Sequence, residues 1–92
     1  MVKHIGLWKL KDPNAEEIKE KMKTDIEALV GVVPGLKSAE VGFGYSGYDV
    51  CLTAVVEDKA ALDAYQIHPA HVQVKEYIGT VVTDRAVCDY EL

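Results

Sequence analysis

The sequence predicts an α+β fold built on one four-stranded antiparallel sheet, with elements in the order β-α-β-β-α-β. Three observations carry the prediction. Four stretches alternate at the two-residue period of a strand, two regions repeat apolar residues at helical spacing, and the two middle strands are close enough in sequence to form a hairpin. With 92 residues, 49% hydrophobic and 27% charged, the chain is sized for one globular domain over residues 1–92, with little margin of stability.

The first strand is read over residues 2 to 10. Val2, His4, Gly6, Trp8 and Leu10 fall on one side and Lys3, Ile5, Leu7 and Lys9 on the other. Both sides are substantially apolar, so both need cover, and in a chain this short one cover is expected from a second molecule. DPNAEE then offers Asp12 or Asn14 as a helix N-cap, with Pro13 or Glu17 supporting one choice or the other. Ile18, Met22, Ile26, Leu29 and Val33 recur on one helical face until Pro34 and Gly35 end it. Lys19, Lys21 and Lys23 interleave with Glu16, Glu17, Glu20 and Glu27, which reads as a solvated face.

Lys37 to Tyr45 and Tyr48 to Glu57 are two strands separated by Ser46 and Gly47, a spacing that suits a tight hairpin. Ala39, Val41 and Phe43 share a side of the first. In the second, Val50, Leu52, Ala54 and Val56 oppose Cys51, Thr53 and Val55. Asp58 is placed to cap a short helix, Lys59 to Gln66, with Leu62 and Tyr65 one turn apart. Pro69 favours the first turn of a further helix, with Val72, Lys75 and Ile78 at helical spacing and Gly79 closing it. Residues 81 to 90 read as the last strand, Arg85, Val87 and Asp89 opposing Ala86, Cys88 and Tyr90. The second helical region is thus broken at His68-Pro69, and the whole is the ferredoxin-like split βαβ arrangement. One sheet face takes the helices. The other, with Ile5, Leu7, Cys51, Thr53 and Val55, is too apolar to stand alone, and two sheets packed face to face cover it.

Composition excludes several functions. A formal net charge of −5 with no basic cluster argues against nucleic acid as a partner. No apolar run is long enough to span a membrane, and MVKHIGLWKL lacks both an h-region and a cleavage site, so a soluble, cytoplasmic protein is expected. Cys51 and Cys88 form no metal-ligand spacing and read as reduced, buried thiols. Ser38 and Ser46 lie in no nucleophile elbow, and GFGYSG opens no helix, so neither nucleophilic catalysis nor a phosphate loop is expected. HPAH holds His68 and His71 without a third ligand at a known spacing; no metal and no cofactor are predicted.

Several stretches together carry a family resemblance: KHIGLWKL, VPGL, YDVCLTAVVED, AYQIHPAH and DRAVCDYE. They resemble the stress-responsive dimeric α/β-barrel domain, Dabb, over nearly the whole chain. The resemblance implies a homodimer in which two four-stranded sheets form a barrel-like core. Members of that family include a plant stress protein that builds larger rings and a plant polyketide cyclase that performs an aldol condensation in a cavity between sheet and helices. Matched stretch by stretch, the cyclase's catalytic histidine falls on His71, its last-strand aspartate on Asp89, its pocket tyrosine on Tyr65 and its first-strand histidine on His4. The resemblance departs at two polar pocket positions, which fall on Ile26 and Val50, implying a drier cavity. Trp8 and Met22 are placed to fill the cyclase's alkyl tunnel.

The implied set is chemically coherent. Histidine is the side chain whose unperturbed pKa lies nearest neutrality, as proton abstraction beside a carbonyl requires. Asp89 accepting from one ring nitrogen of His71 would fix its tautomer, and the Tyr65 hydroxyl would donate to a developing oxyanion. His4, Trp8, Ile26, Val50, Leu52 and Arg85 are the candidate ligand contacts; Arg85 suits either a ligand carboxylate or Glu57. A purely structural turn, in which His68 starts a helix and His71 bonds Asp89 for stability alone, accounts for the same residues. The functional expectation is a homodimer that binds an apolar small molecule bearing a carbonyl or phenol, with polyketide-cyclase-like aldol or lyase chemistry. The alternatives are a non-enzymatic, stress-related assembly protein with a collapsed cavity and, on fold analogy, a cofactor-less monooxygenase.

Overall fold

A computed structural model describes all residues, Met1–Leu92. Seven elements follow one another: β1 (Val2–Leu10), α1 (Glu16–Glu27), β2 (Leu36–Phe43), β3 (Val50–Val56), α2 (Lys59–Ile67), α3 (Pro69–Val81) and β4 (Val82–Glu91). The strands form one sheet in the order β2-β3-β1-β4, every neighbouring pair antiparallel, which is the ferredoxin-like fold. β1 lies in the middle, with Leu52 and Val87 flanking Gly6 and with Ala54 and Asp89 flanking His4.

The helix side of the sheet holds the core. Val2, Trp8, Val41, Val50, Leu52, Ala54 and Val56 meet Met22, Ile26, Tyr65 and Ile78 from the helices, all buried. Each fully buried side chain of this size stabilises the fold by roughly 1.5–3 kcal/mol before entropy is counted. On the opposite side the register aligns Thr53 with Ile5 and Cys88, and Cys51 with Leu7 and Ala86. Ile5, Leu7, Cys51, Thr53 and Val55 are only half-buried, and Cys88 is exposed. The cysteines are therefore free but not buried as expected, because nothing in a single chain covers this face.

Local geometry departs from the sequence pattern at five places, one of them the end of α3, which runs through Gly79 to Val81 instead of closing at the glycine. Helix α1 stops at Glu27 instead of running to Val33: Gly31 takes a φ of +89°, and Val30, Val32 and Val33 are β-branched residues that resist helix. Leu29 and Val33 still reach the core, since Val33 N–H donates to the Leu29 carbonyl at 2.9 Å within an irregular turn. The N-cap is Ala15, with no side-chain cap. Asp12 instead accepts from the Asn14 N–H at 3.0 Å in the turn before the helix.

The charged face of α1 is only partly solvated. Glu27 accepts from the Val41 N–H at 2.9 Å and from Lys23 at 2.7 Å, while Lys23 also donates to the Val41 carbonyl at 3.0 Å. The pair covers the free edge of β2, where unpaired backbone would otherwise invite another strand. The hydrogen bond from Lys23, followed by that from Val41, holds the Glu27 carboxyl below its usual range. Finally, the hairpin between β2 and β3 is a longer loop. Gly44 N–H donates to the Asp49 carbonyl at 2.9 Å, and Asp49 ties the loop to β1 by accepting from the Leu10 N–H at 2.8 Å.

Candidate functional site

The site is built where α2 gives way to α3. Asp58 caps α2 by accepting from the Ala61 N–H at 2.8 Å, and one face of that helix carries Tyr65 down onto the sheet. His68 then takes extended backbone (φ −63°, ψ 132°), as the residue before a proline favours, and ends the helix. Its Nδ1 accepts from the Ala70 N–H at 3.1 Å, so His68 caps α3 while Pro69 opens it. His68 therefore belongs to the turn.

The new helix direction folds His71 back over Tyr65. Their rings stack at 3.9 Å with an 18° interplanar angle, and His71 is 7% exposed. Nδ1 of His71 lies 2.9 Å from the Tyr65 carbonyl, which only accepts, so the proton sits on Nδ1 and the lone pair on Nε2. Burial pushes the His71 pKa down from 6.5 to about 4; the neighbouring Lys75 and His4 add to this, and the carbonyl bond opposes it. The imidazole is neutral at pH 7. Burial also raises the Tyr65 phenol to about 12, so it remains a protonated donor.

His4 meets Tyr65 edge-on, with centroids 5.8 Å apart. Its Nδ1 pairs with the Asp89 carboxylate, directly opposite in the β1/β4 register. This corrects the expected bond between His71 and Asp89. The carboxylate faces β1, not α3, and Nδ1 of His71 is already committed to the Tyr65 carbonyl.

A cavity of about 150 Å³ opens between sheet and helices. Of the residues singled out from the sequence, His4, Trp8, Ile26, Leu52, Tyr65, His71 and Arg85 line it. Val50 does not; it is fully buried in the core. Asp89 also lies outside the lining and reaches it only through His4. Met22 is sealed in the core, while the Trp8 indole folds over Gly6, so that a Cβ there would lie 3.0 Å from its Cη2. Arg85 and Glu57 do not pair: Glu57 is 4.0 Å from Lys37.

Gly6, Gln66, Lys75 and Ile78 also line the cavity and were not singled out as contacts. Two of them carried a signal. Gly6 is the one member without a side chain in the inward set of β1, and Lys75 lies one turn after His71.

Fold and site together define a ferredoxin-like protein with a small, mostly apolar cavity lined by a Tyr-His stack. Residues 2–92 match the Stress responsive A/B Barrel Domain, and the chain belongs to that family, Dabb. A dimeric ferredoxin-like protein of unknown function from Bacteroides fragilis is similar at 30% identity and a TM-score of 0.89, covering 99% of this chain and 95% of that one. The Arabidopsis thaliana protein At3g17210 is 26% identical with a TM-score of 0.89, covering 100% and 95%. A hydroxynitrile lyase from Passiflora edulis shares the fold at 14% identity and a TM-score of 0.84, covering 97% and 90%. No curated protein sequence matches the chain.

Proposed function

We propose that this Dabb protein is a homodimer that binds a small apolar molecule bearing a carbonyl or phenol, with proton-transfer chemistry of the aldol or lyase type at His71. One observation carries the binding reading. The Tyr65 hydroxyl and Nε2 of His71 have no hydrogen-bond partner in the chain, yet no side-chain polar atom is sealed away without one. Both residues line the cavity, so a donor and an acceptor stand open to whatever enters. A cavity of about 150 Å³ suits a single ring and not a long chain. An open cavity also favours binding over a collapsed assembly protein.

Binding comes before chemistry here. A base whose conjugate acid ionises near 4 accepts a proton weakly, until negative charge developing beside it restores its basicity. Tyr65, protonated and stacked on His71, is the donor for that charge. His4, held by Asp89, lines the same space. The half-buried rows of Ile5, Leu7, Cys51 and Thr53 supply the face on which a second copy packs, and the Bacteroides fragilis neighbour is described as dimeric.

Trp8, the single tryptophan, lines the cavity, so quenching of its fluorescence by para-hydroxybenzaldehyde measures binding. Saturable quenching that weakens about tenfold in Tyr65→Phe is expected for one lost hydrogen bond. Absence of saturation would sink the binding reading. For the chemistry, solvent deuterium exchange into the methyl group of acetophenone should exceed the buffer rate and return to it in His71→Ala. Exchange no faster than buffer in the unmodified protein removes the chemistry and leaves the binding.

A further inference from the structure

The polar groups of the cavity differ in kind from floor to mouth. His4 and His71, at 5% and 7% exposure, and Tyr65, at 1%, form the floor. Lys75 and Arg85 line the same cavity but are exposed, which places them at its mouth. The chain carries 15 acidic and 10 basic residues, five more acids than bases, yet no carboxylate lines this cavity.

Neither mouth cation has an acidic partner. Lys75 donates only to the Gln66 carbonyl, at 2.9 Å, and Arg85, the chain's single arginine, takes part in no ion pair. The acids nearest to it along β4 are otherwise engaged: Asp84 accepts from the Arg85 backbone N–H at 2.8 Å, and Asp89 holds His4. Arg85 stands opposite Trp8 in the strand register, so its base is set on the cavity side of the sheet. A guanidinium free of ion pairs, on the same cavity as an ammonium, is a fork suited to a carboxylate, which arginine can engage with two parallel N–H bonds. The positive field also reaches inward, since Lys75 helps to depress the His71 pKa.

We propose that the ligand is a small monocarboxylate, a single-ring or similarly sized hydroxy or keto acid. Its carboxylate sits on Arg85 and Lys75 at the mouth, and its phenol or carbonyl oxygen points inward to Tyr65 and His71. This rests on the binding function proposed above and adds the ligand's charge and direction. Orientation follows from the same separation: neutral partners at the buried end, charged partners where water can still solvate an ion.

Calorimetric titration of para-hydroxybenzoate against the neutral isostere para-hydroxybenzamide, at low salt, tests it. The acid should bind about tenfold more tightly than the amide, the scale of one charge-assisted contact, and the preference should shrink as salt rises. In Arg85→Gln combined with Lys75→Gln, both changes at exposed positions that leave the core intact, the preference for the acid should vanish. If the amide binds and the acid binds no better, or if the preference survives both substitutions, the carboxylate assignment is overturned and the binding function stands. If neither compound binds, the binding function fails and takes this inference with it.

Discussion

Replacing His71 by phenylalanine should remove a specific piece of the protein's acid sensitivity. The imidazole is buried against Tyr65, and its pKa lies at about 4 instead of the 6.5 of an exposed histidine. At pH 7 the ring is neutral in both folded and unfolded chains, so its full contribution to stability is present. As the pH falls below 6.5 the unfolded chain takes up a proton that the folded chain still refuses, and stability drains away until the pH reaches about 4. Linkage between those two values costs about 2 kcal/mol by pH ~4.5 and about 3 kcal/mol in full. Phenylalanine keeps a ring to stack on Tyr65 but cannot titrate. Urea denaturation of both proteins at pH 7 and pH ~4.5 should therefore show the unmodified protein losing about 2 kcal/mol more than His71→Phe. Equal losses in the two proteins would refute the claim that burial keeps His71 neutral, as would an NMR titration placing its pKa near 6.5.

Other consequences follow from single contacts. Asp89→Ala leaves Nδ1 of the buried His4 without its partner and should cost about 1–3 kcal/mol in urea denaturation. Gly6→Ala places a Cβ 3.0 Å from Cη2 of Trp8; the indole must shift into the cavity, and para-hydroxybenzaldehyde quenching should weaken about tenfold while the fold persists. Leu7→Asp puts a charge in the middle of the half-buried sheet face and should convert a dimer to a monomer in light scattering. Asp58→Ala removes the α2 cap and should lower stability by about 1 kcal/mol, measured by thermal denaturation.

Strand positions and faces were readable because alternation is a local property. The inward set Val2, His4, Gly6, Trp8 and Leu10 and the outward set around Ile5 and Leu7 follow from a period of two, whatever the partner strands do. The break at His68-Pro69 was readable for the same reason, since a residue before proline avoids helical backbone. Register was not. That Asp89 faces His4, and so cannot orient His71, depends on how β1 slides against β4, 85 residues away, and a shift of two residues leaves the alternation unchanged. The end of α1 misled because Leu29 and Val33 keep helical spacing while the chain between them turns at Gly31. The role of Lys23 and Glu27 was hidden too: their i, i+4 spacing describes a surface pair, and only the approach of β2 makes them its edge cover.

On the proposed function, the space above Tyr65 and His71 receives a ligand. Titration of isotope-labelled protein with para-cresol, followed by NMR, tests it most directly, because an aromatic ring shifts the resonances of whatever it lies against. Saturable shifts at the His71 ring and at the Gly6 and Gly79 amides, which line the cavity, are predicted, with Ile5 and Leu7 on the far face unmoved. No saturable change at His71, or changes confined to the far face of the sheet, would contradict it.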